Sequence, residues 1–467
     1  MADVFMKRFD FGNGDIYYPL PIVTTEQDGM VLKVANGEWG YHYMSKAETG
    51  AGLYADDGGF TSWSDLVATG GITLSDEGYS ITGCSTELTG KLIISDEIIT
   101  IGKNAFDSCG LSSFEIPNSV TRIEDDAFFS CGSLISINVP ESVTHIGAHA
   151  FQRCYALTSA VIPENVKNIP DYLFADCSNL LSVTLPSTAI GVGYYAFYKC
   201  QSLEIVNIPK GITFIRDYAF YNCTSLKSID IPKSVTTIGN SVFRYCSSLE
   251  ELNIPAITSI GTSAIRDCTR LTKLTISEGV TAIGDYAVNN CPALTNVVIP
   301  STVATIGEYA FQNCTGLKSL MLSEGLTLIG RYAFNACSAL TELTVPSTVV
   351  EIDSYAFRDC TGLVSLTLSE GITIIGNNTF RGCTGLTTVT IPSTVTTFEN
   401  YAFGYCNDLA SVYFKQTTAP SFGSNSFRKT AGVVCTFYFK NSAVANAFVE
   451  GTHYNATYSI KSTNYDW

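Results

Sequence analysis

The sequence predicts a mainly β fold: a right-handed solenoid of about fourteen stacked 23-residue coils with short helical turns, a small N-terminal β module and a C-terminal cap. Three observations predict it. Cysteines recur at 109, 131, 154, 177, 200, 223, 246, 268, 291, 314, 337, 360, 383 and 406, in steps of 23 residues with two of 22. Between them, apolar and polar residues alternate with the two-residue period of a strand. A Gly and then Ala-Phe return before the next Cys, as in Gly330-Arg331-Tyr332-Ala333-Phe334. Zinc sites need cysteines about two to four residues apart. This array has no such pairs, so the spacing reads as one Cys per coil.

Cys314 to Cys337 shows the elements in order. Leu320 and Leu322 alternate with Ser319 and Met321, so a strand turns both leucines to one face. Pro or Ser ends that strand, as at Pro140, Pro232 and Pro346, because Pro cannot donate to a central ladder. A second apolar run, Val-Thr-x-Ile, follows at Val143 to Ile146 and Val235 to Ile238. Gly147, Gly239, Gly261, Gly284, Gly307, Gly330 and Gly376 then supply a corner. Phe and Cys three apart fit a helical or 3₁₀ turn with both side chains inward. No coil can bury this apolar set alone; stacked coils can. Parallel coils about 4.8 Å apart give the array a span on the order of 65 Å. The stacking also sets the cysteines in a ladder of parallel side chains, which favours free buried thiols over disulfides.

The pattern Cys-x-x-Leu-x-x-Val/Leu-x-Ile-Pro-x-x-Val-x-x-Ile-Gly-x-x-Ala-Phe resembles the BspA-like leucine-rich repeats of bacterial surface proteins, also found in some parasites and phages. The resemblance covers roughly residues 84 to 414 and implies a leucine-rich-repeat solenoid that is displayed and binds or adheres. Ala264-Ile265, Ala287-Val288, Leu173-Phe174 and Thr379-Phe380 depart from the pattern, and coils there should pack less fully. A second period lies over the first. Ser277-Glu-Gly, Ser323-Glu-Gly and Ser369-Glu-Gly alternate with Pro300-Ser-Thr, Pro346-Ser-Thr and Pro392-Ser-Thr, a 46-residue unit that suggests duplication of coil pairs.

The expected organisation is an attachment module at 1–45, a linker and N-terminal cap at 46–90, the solenoid at 91–414 and a C-terminal cap at 415–467. An open solenoid exposes its end coils, so both ends need covers. Tyr18 to Thr24 should be extended, and Val31 to Trp39 reads as a hairpin turned at Asn36-Gly37. Residues Gly50 to Gly59 look loop-rich, and Trp63-Ser-Asp-Leu-Val-Ala reads as a short helix. Near the other end, Thr436 to Phe439 is strand-like and Ser442 to Val449 helical, stopping near Gly451. The segment around residues 19–39 resembles small modules near the start of phage structural proteins such as head and tail fibres, and that around 52–66 resembles segments that precede this repeat type in phage-encoded proteins. That implies attachment to a virion or other surface structure through the N-terminal module, and leaves room for a homo-oligomer.

Composition limits the chemistry. The 27 Lys and Arg against 43 Asp and Glu give a net charge of −16, which argues against nucleic acid and anionic membranes as partners. No apolar run approaches the ~18 residues of a membrane span, and no secretory signal is visible after Met1. His42, His145, His149 and His453 are too scattered for a triad or a metal site. The run Glu124-Asp125-Asp126 lacks the alternation of a calcium loop and reads as a solvated charge cluster. No catalytic or cofactor-binding set emerges. Small hydroxyl residues dominate the outward strand face, which suits an extended polymer better than a small ligand. The candidate binding residues are Tyr172, Tyr195, Tyr218, Tyr286, Tyr309, Tyr332, Tyr355 and Tyr401, which recur just before Ala-Phe or its variants. They either stack on sugar rings or anchor a protein partner, or else pack on one another as an exterior ladder. The expected function is a non-enzymatic adhesion protein of a phage virion, binding protein or glycan on a cell, mucus or matrix surface. The alternative is a bacterial cell-surface adhesin.

Overall fold

The computed structural model describes residues 30–35, 38–43, 51–55, 59–429, 435–439 and 458–462. They fall into two compact units, Met1–Ala51 and Gly52–Trp467. In the first, Met30–Ala35 and Glu38–Tyr43 pair antiparallel, the hairpin expected on either side of Asn36-Gly37. The extended segment at 18–24, the turn residues themselves and the helix expected from Ser442 to Val449 lie outside the described residues.

In the second unit, stacking follows from what one short strand leaves unpaired. Ser319–Leu322 has backbone donors and acceptors on both edges, and the coil 23 residues earlier supplies one partner. Asn296–Ile299 pairs with it in parallel, Val297 opposite Leu320 and Ile299 opposite Leu322. Repetition from Gly90–Ile93 to Ser411–Phe414, Cys435–Phe439 and Tyr458–Ser462 builds one long sheet. Two-residue strands such as Thr305–Ile306 and Leu328–Ile329 build a second face. The product is a mainly β, right-handed solenoid of about fifteen turns. Its one α-helix among the described residues is Trp63–Ala68, capped by the Ser62 hydroxyl, which accepts from Asp65 N at 3.3 Å. The segment read as loop-rich is partly a hairpin: Gly52–Tyr54 pairs antiparallel with Phe60–Ser62 and with Gly90–Ile93, covering the first coil's edge.

The core repeats with the coil. Leu317, Leu320, Leu322, Leu326, Ile329, Ala333, Phe334 and Cys337 are all buried, while Met321 between the strand leucines is 59% exposed. Each large side chain so buried contributes roughly 1.5–3 kcal/mol. Phe rings stack from Phe106 to Phe243 and again from Phe311 to Phe427, at spacings such as 5.1 Å for Phe311–Phe334. Ile265 and Val288 interrupt that stack. The ladder thiols donate backwards to the preceding coil, Cys177 to Phe151 O at 3.0 Å and Cys200 to Phe174 O at 3.1 Å. Burial pushes the Cys246 and Cys314 thiols up to about 12, which makes them inert as nucleophiles.

Two sequence features have a visible structural role. Gly147 and Gly239 do not make a corner by unusual dihedrals. A Cβ on Gly147 would lie 2.3 Å from Asp125 N, and one on Gly239 would lie 2.2 Å from Asp217 Oδ1. They let adjacent coils close. The 46-residue period is a clasp. Glu324 accepts from Ser347 N at 3.1 Å and from its hydroxyl at 3.0 Å, while Gly325 N donates to Thr348 Oγ1 at 3.1 Å. Glu278 with Ser301 and Glu370 with Ser393 repeat the contact.

One break interrupts the second face. Its strands form one sheet up to His145–Ile146 and another from Asn168–Ile169 onward. In most other coils the residue after the strand donates to the coil before, as Gly147 N to Ile123 O and Gly193 N to Ile169 O, both at 2.9 Å. The coil between them carries Pro170 at that position, which has no N–H.

Candidate functional site

The third side of each coil, from Gly through Ala-Phe to Cys, was expected to be helical. It is a run of turns. Cys177 N donates to Phe174 O at 3.1 Å, the three-residue closure that the spacing implied. Tyr172 and Asp176, however, have φ of +57° and +61°, and each left-handed residue breaks the helical path. Alternate N–H groups therefore turn to the next coil: Tyr172 to Tyr194 O at 2.8 Å, Phe174 to Ala196 O at 2.8 Å and Asp176 to Tyr198 O at 2.7 Å. This side is a third inter-coil ladder, and all eight candidate tyrosines occupy its left-handed column.

A tyrosine in that conformation is strained, and stacking holds it there. Tyr172, Tyr195 and Tyr218 stack at 4.5 and 4.7 Å with planes 8° and 4° apart, and His149 extends the row onto Tyr172 at 4.5 Å. Tyr286, Tyr309, Tyr332 and Tyr355 form a second row at 4.6, 4.8 and 4.4 Å. Ser241 and Ser263 separate the two rows, and Asn378 separates Tyr355 from Tyr401. The eight candidates are thus brought together in two stacks with Tyr401 apart. Because their faces cover one another, mainly ring edges and hydroxyls remain for a partner.

Sequence reasoning missed a parallel row beside the first stack. Tyr198 and Tyr221 stack at 5.0 Å, and Tyr245 meets Tyr221 edge-on at 5.4 Å. Tyr198 touches Tyr195 at 5.4 Å and Tyr221 touches Tyr218 at 5.7 Å, so the rows form one platform. Tyr194, next to Tyr195 in the chain, is 38% exposed. The signal was present as Phe197-Tyr198 and Phe220-Tyr221, 23 residues apart. Beside the second stack the corresponding positions hold an amide ladder instead: Asn289 Nδ2 to Gln312 Oε1 at 3.1 Å and Gln312 Nε2 to Asn335 Oδ1 at 3.0 Å.

Cations are set among the rings of this acidic chain. The Arg216 guanidinium lies 5.0 Å from the Tyr194 ring and donates to its hydroxyl at 3.2 Å. Lys199 lies 5.0 Å from Tyr198, and Arg244 4.7 Å from Tyr245. Such contacts hold the cations in place over the rings. Burial, then the nearby Asp171, pushes the Tyr172 phenol above its ordinary value, and burial does the same for Tyr195. Both phenols stay neutral hydrogen-bonding groups at physiological pH.

His145, His149 and the acidic run have local partners; the side chains of His42 and His453 lie outside the described residues. His149 Nδ1 lies 2.5 Å from Gln152 Oε1. Glu124 pairs with Arg122 at 2.7 Å and lies 3.7 Å from His145, and Asp125 accepts from Ala148 N at 2.9 Å. Among the described residues no group of three or more His, Cys, Asp or Glu could hold a metal ion.

Against known families, the chain matches the model of the BspA type leucine rich repeat region (6 copies) over residues 82–204, 167–294, 243–363 and 327–448. No curated protein matches it significantly. Among solved structures it is similar to a leucine-rich repeat protein from Bacteroides ovatus, with 24% identity, 84% of this chain and 97% of that one covered, and a TM-score of 0.68. A leucine-rich repeat protein from Eubacterium ventriosum matches at 25% identity over 71% of this chain and 91% of that one, with a TM-score of 0.43. A leucine rich cell surface protein from Faecalibacterium prausnitzii matches at 22% identity over 80% and 94%, with a TM-score of 0.37. The likeness to the Bacteroides protein is one of fold.

Proposed function

The chain belongs to the BspA-type leucine-rich repeat family, and on that premise we propose that it is a non-enzymatic binding protein displayed at a bacterial cell surface. The observation that carries the reading is the two-row tyrosine platform from Tyr172 to Tyr245, set with Arg216, Lys199 and Arg244. Tyrosine and arginine are the residues that dominate binding energy at protein interfaces, because they combine apolar area with hydrogen bonds. With ring faces stacked away, the hydroxyl edges favour a protein partner over a sugar that needs a free aromatic face. The array's length suits a partner that is itself extended.

A place on a phage particle, anchored by residues 1–45, is the second reading. It is favoured by a separate N-terminal unit that lies outside the residues the family model matches. The bacterial-surface reading accounts for the repeat array itself and is preferred.

Tyr194, Tyr198 and Tyr221 lie outside the left-handed column, so they can be changed without touching backbone strain. The triple change to Ala should weaken attachment of the purified protein to host cells or matrix-coated surfaces by at least about tenfold, measured at a temperature where circular dichroism shows the variant still folded. Protease treatment of the target should abolish attachment. Unchanged attachment by the triple variant would remove the platform as the binding site. Mass spectrometry of the encoding bacterium's envelope fraction and of purified phage particles separates the two settings.

A further inference from the structure

The cysteine ladder has a first rung unlike the others. Within the array each thiol reaches back 25 or 26 residues to a backbone carbonyl, as Cys131 to Phe106 O at 2.9 Å and Cys154 to Phe128 O at 3.3 Å. Cys109 opens the ladder and has no Phe-bearing coil before it. Twenty-five residues back stands Cys84, at the end of the strand Ser80–Cys84. The two sulfurs lie 2.9 Å apart, and both thiols also face Ser85 O, at 3.3 and 3.7 Å. Cys84 is only partly buried, whereas Cys109 is 1% exposed. An accessible thiol in contact with a sheltered one is the arrangement of an attacking and a resolving cysteine.

We propose that Cys84 and Cys109 form a disulfide by exchange with a small-molecule or protein disulfide of the surroundings. The Cys84 thiolate attacks that disulfide, forming a mixed disulfide and expelling one thiolate. The Cys109 thiolate then attacks the Cys84 sulfur, closing the internal bond and expelling the second. The protein gives up two protons and two electrons; the incoming disulfide takes both electrons and leaves as two thiols. The 2.9 Å contact between the two sulfurs leaves Cys109 beside the Cys84 sulfur for the second step. The bond would tie the covering segment to the first full coil, the end of the array with no earlier coil to hold it. Such a cross-link acts chiefly by limiting the unfolded chain.

The full chain is incubated under native conditions with oxidised glutathione, alkylated, and mapped by non-reducing peptide mass spectrometry. Wild type should lose about 2 Da and two alkylatable thiols, with the Cys84 and Cys109 peptides linked. Cys84→Ser should keep every remaining thiol, and Cys109→Ala should stop with one glutathione on Cys84. A wild-type chain that keeps both thiols, holds glutathione on Cys84 or links elsewhere would overturn the proposal. Cys84→Ser changes a partly buried residue and keeps the test valid should Cys109→Ala fail to fold.

Discussion

Replacing Tyr309 in turn by Phe, Asn and Ala separates the two energies that balance on the turn face. Its ring lies 4.6 Å from Tyr286 and 4.8 Å from Tyr332, and its φ is +57°. Two stacked pairs at about 0.5–1.5 kcal/mol each make the stack worth about 1–3 kcal/mol. Against it stands the left-handed backbone, which costs an ordinary L-residue roughly 1–2 kcal/mol and Asn less. The Tyr309 N–H to Arg331 O bond, 2.8 Å, is common to all four proteins. Phe keeps the stack and the strain, so it should fall within about 0.5 kcal/mol of wild type. Ala loses the stack and keeps the strain, for a loss of about 2–3 kcal/mol once its lost apolar area is included. Asn loses the stack but sheds part of the strain, and should lie about 0.5–1 kcal/mol above Ala. Urea unfolding followed by far-UV circular dichroism reads all four, provided the slope is constant. Ala as stable as Phe would show that the stack contributes nothing. Asn no better than Ala would refute the strain argument.

Two further outcomes follow from the clasps and the sheet break. The Glu164 and Glu324 carboxylates are held below the usual range by the N–H groups of Ser187 and Ser347, then by the hydroxyls of the same serines. A carboxylate with a lowered folded pKa adds stability above its unfolded value of about 4.3, and that stability is lost as pH falls through the folded pKa. The wild-type melting temperature should therefore drop more steeply on acidification than that of Glu164→Gln/Glu324→Gln, with the curves converging at low pH; parallel curves would assign the clasps no part in acid sensitivity. At the sheet break, Pro170→Ala restores an N–H opposite Ile146 O. Hydrogen exchange at residues 167–170 should slow toward that of 190–193, and unchanged exchange would mean that something other than the missing donor parts the strands.

Much of this molecule was legible because it repeats. The Cys period located fourteen coils, the Leu320–Leu322 alternation gave the buried face of the strand, and the Pro stops marked strand ends. The turn face was misread for a physical reason. Phe and Cys three apart satisfy a single hydrogen-bonded turn as well as a helix, and Tyr is a poor witness to a left-handed backbone. The better witnesses were Asn104, Asp126, His149, Asn378 and Asn425 in the same column, residue types that tolerate positive φ. Tyr198 and Tyr221 escaped notice because their row exists only between coils. Cys84 escaped because it stands 25 residues from its neighbour, outside the period, and that offset is what brings the two sulfurs together.

The clasp between Glu324 and Ser347 also sets how the rod can change length. From Glu278 to Ser393 each acidic coil meets a hydroxyl coil, so removing one 23-residue coil between Glu278 and Glu324 would set carboxylate against carboxylate and take from Glu278 its Ser301 donor. Removing two coils restores every contact. Gain and loss by recombination should therefore be tolerated in steps of two, so that the reach of the protein from its point of attachment is quantised, and variants differing in reach can share one surface chemistry.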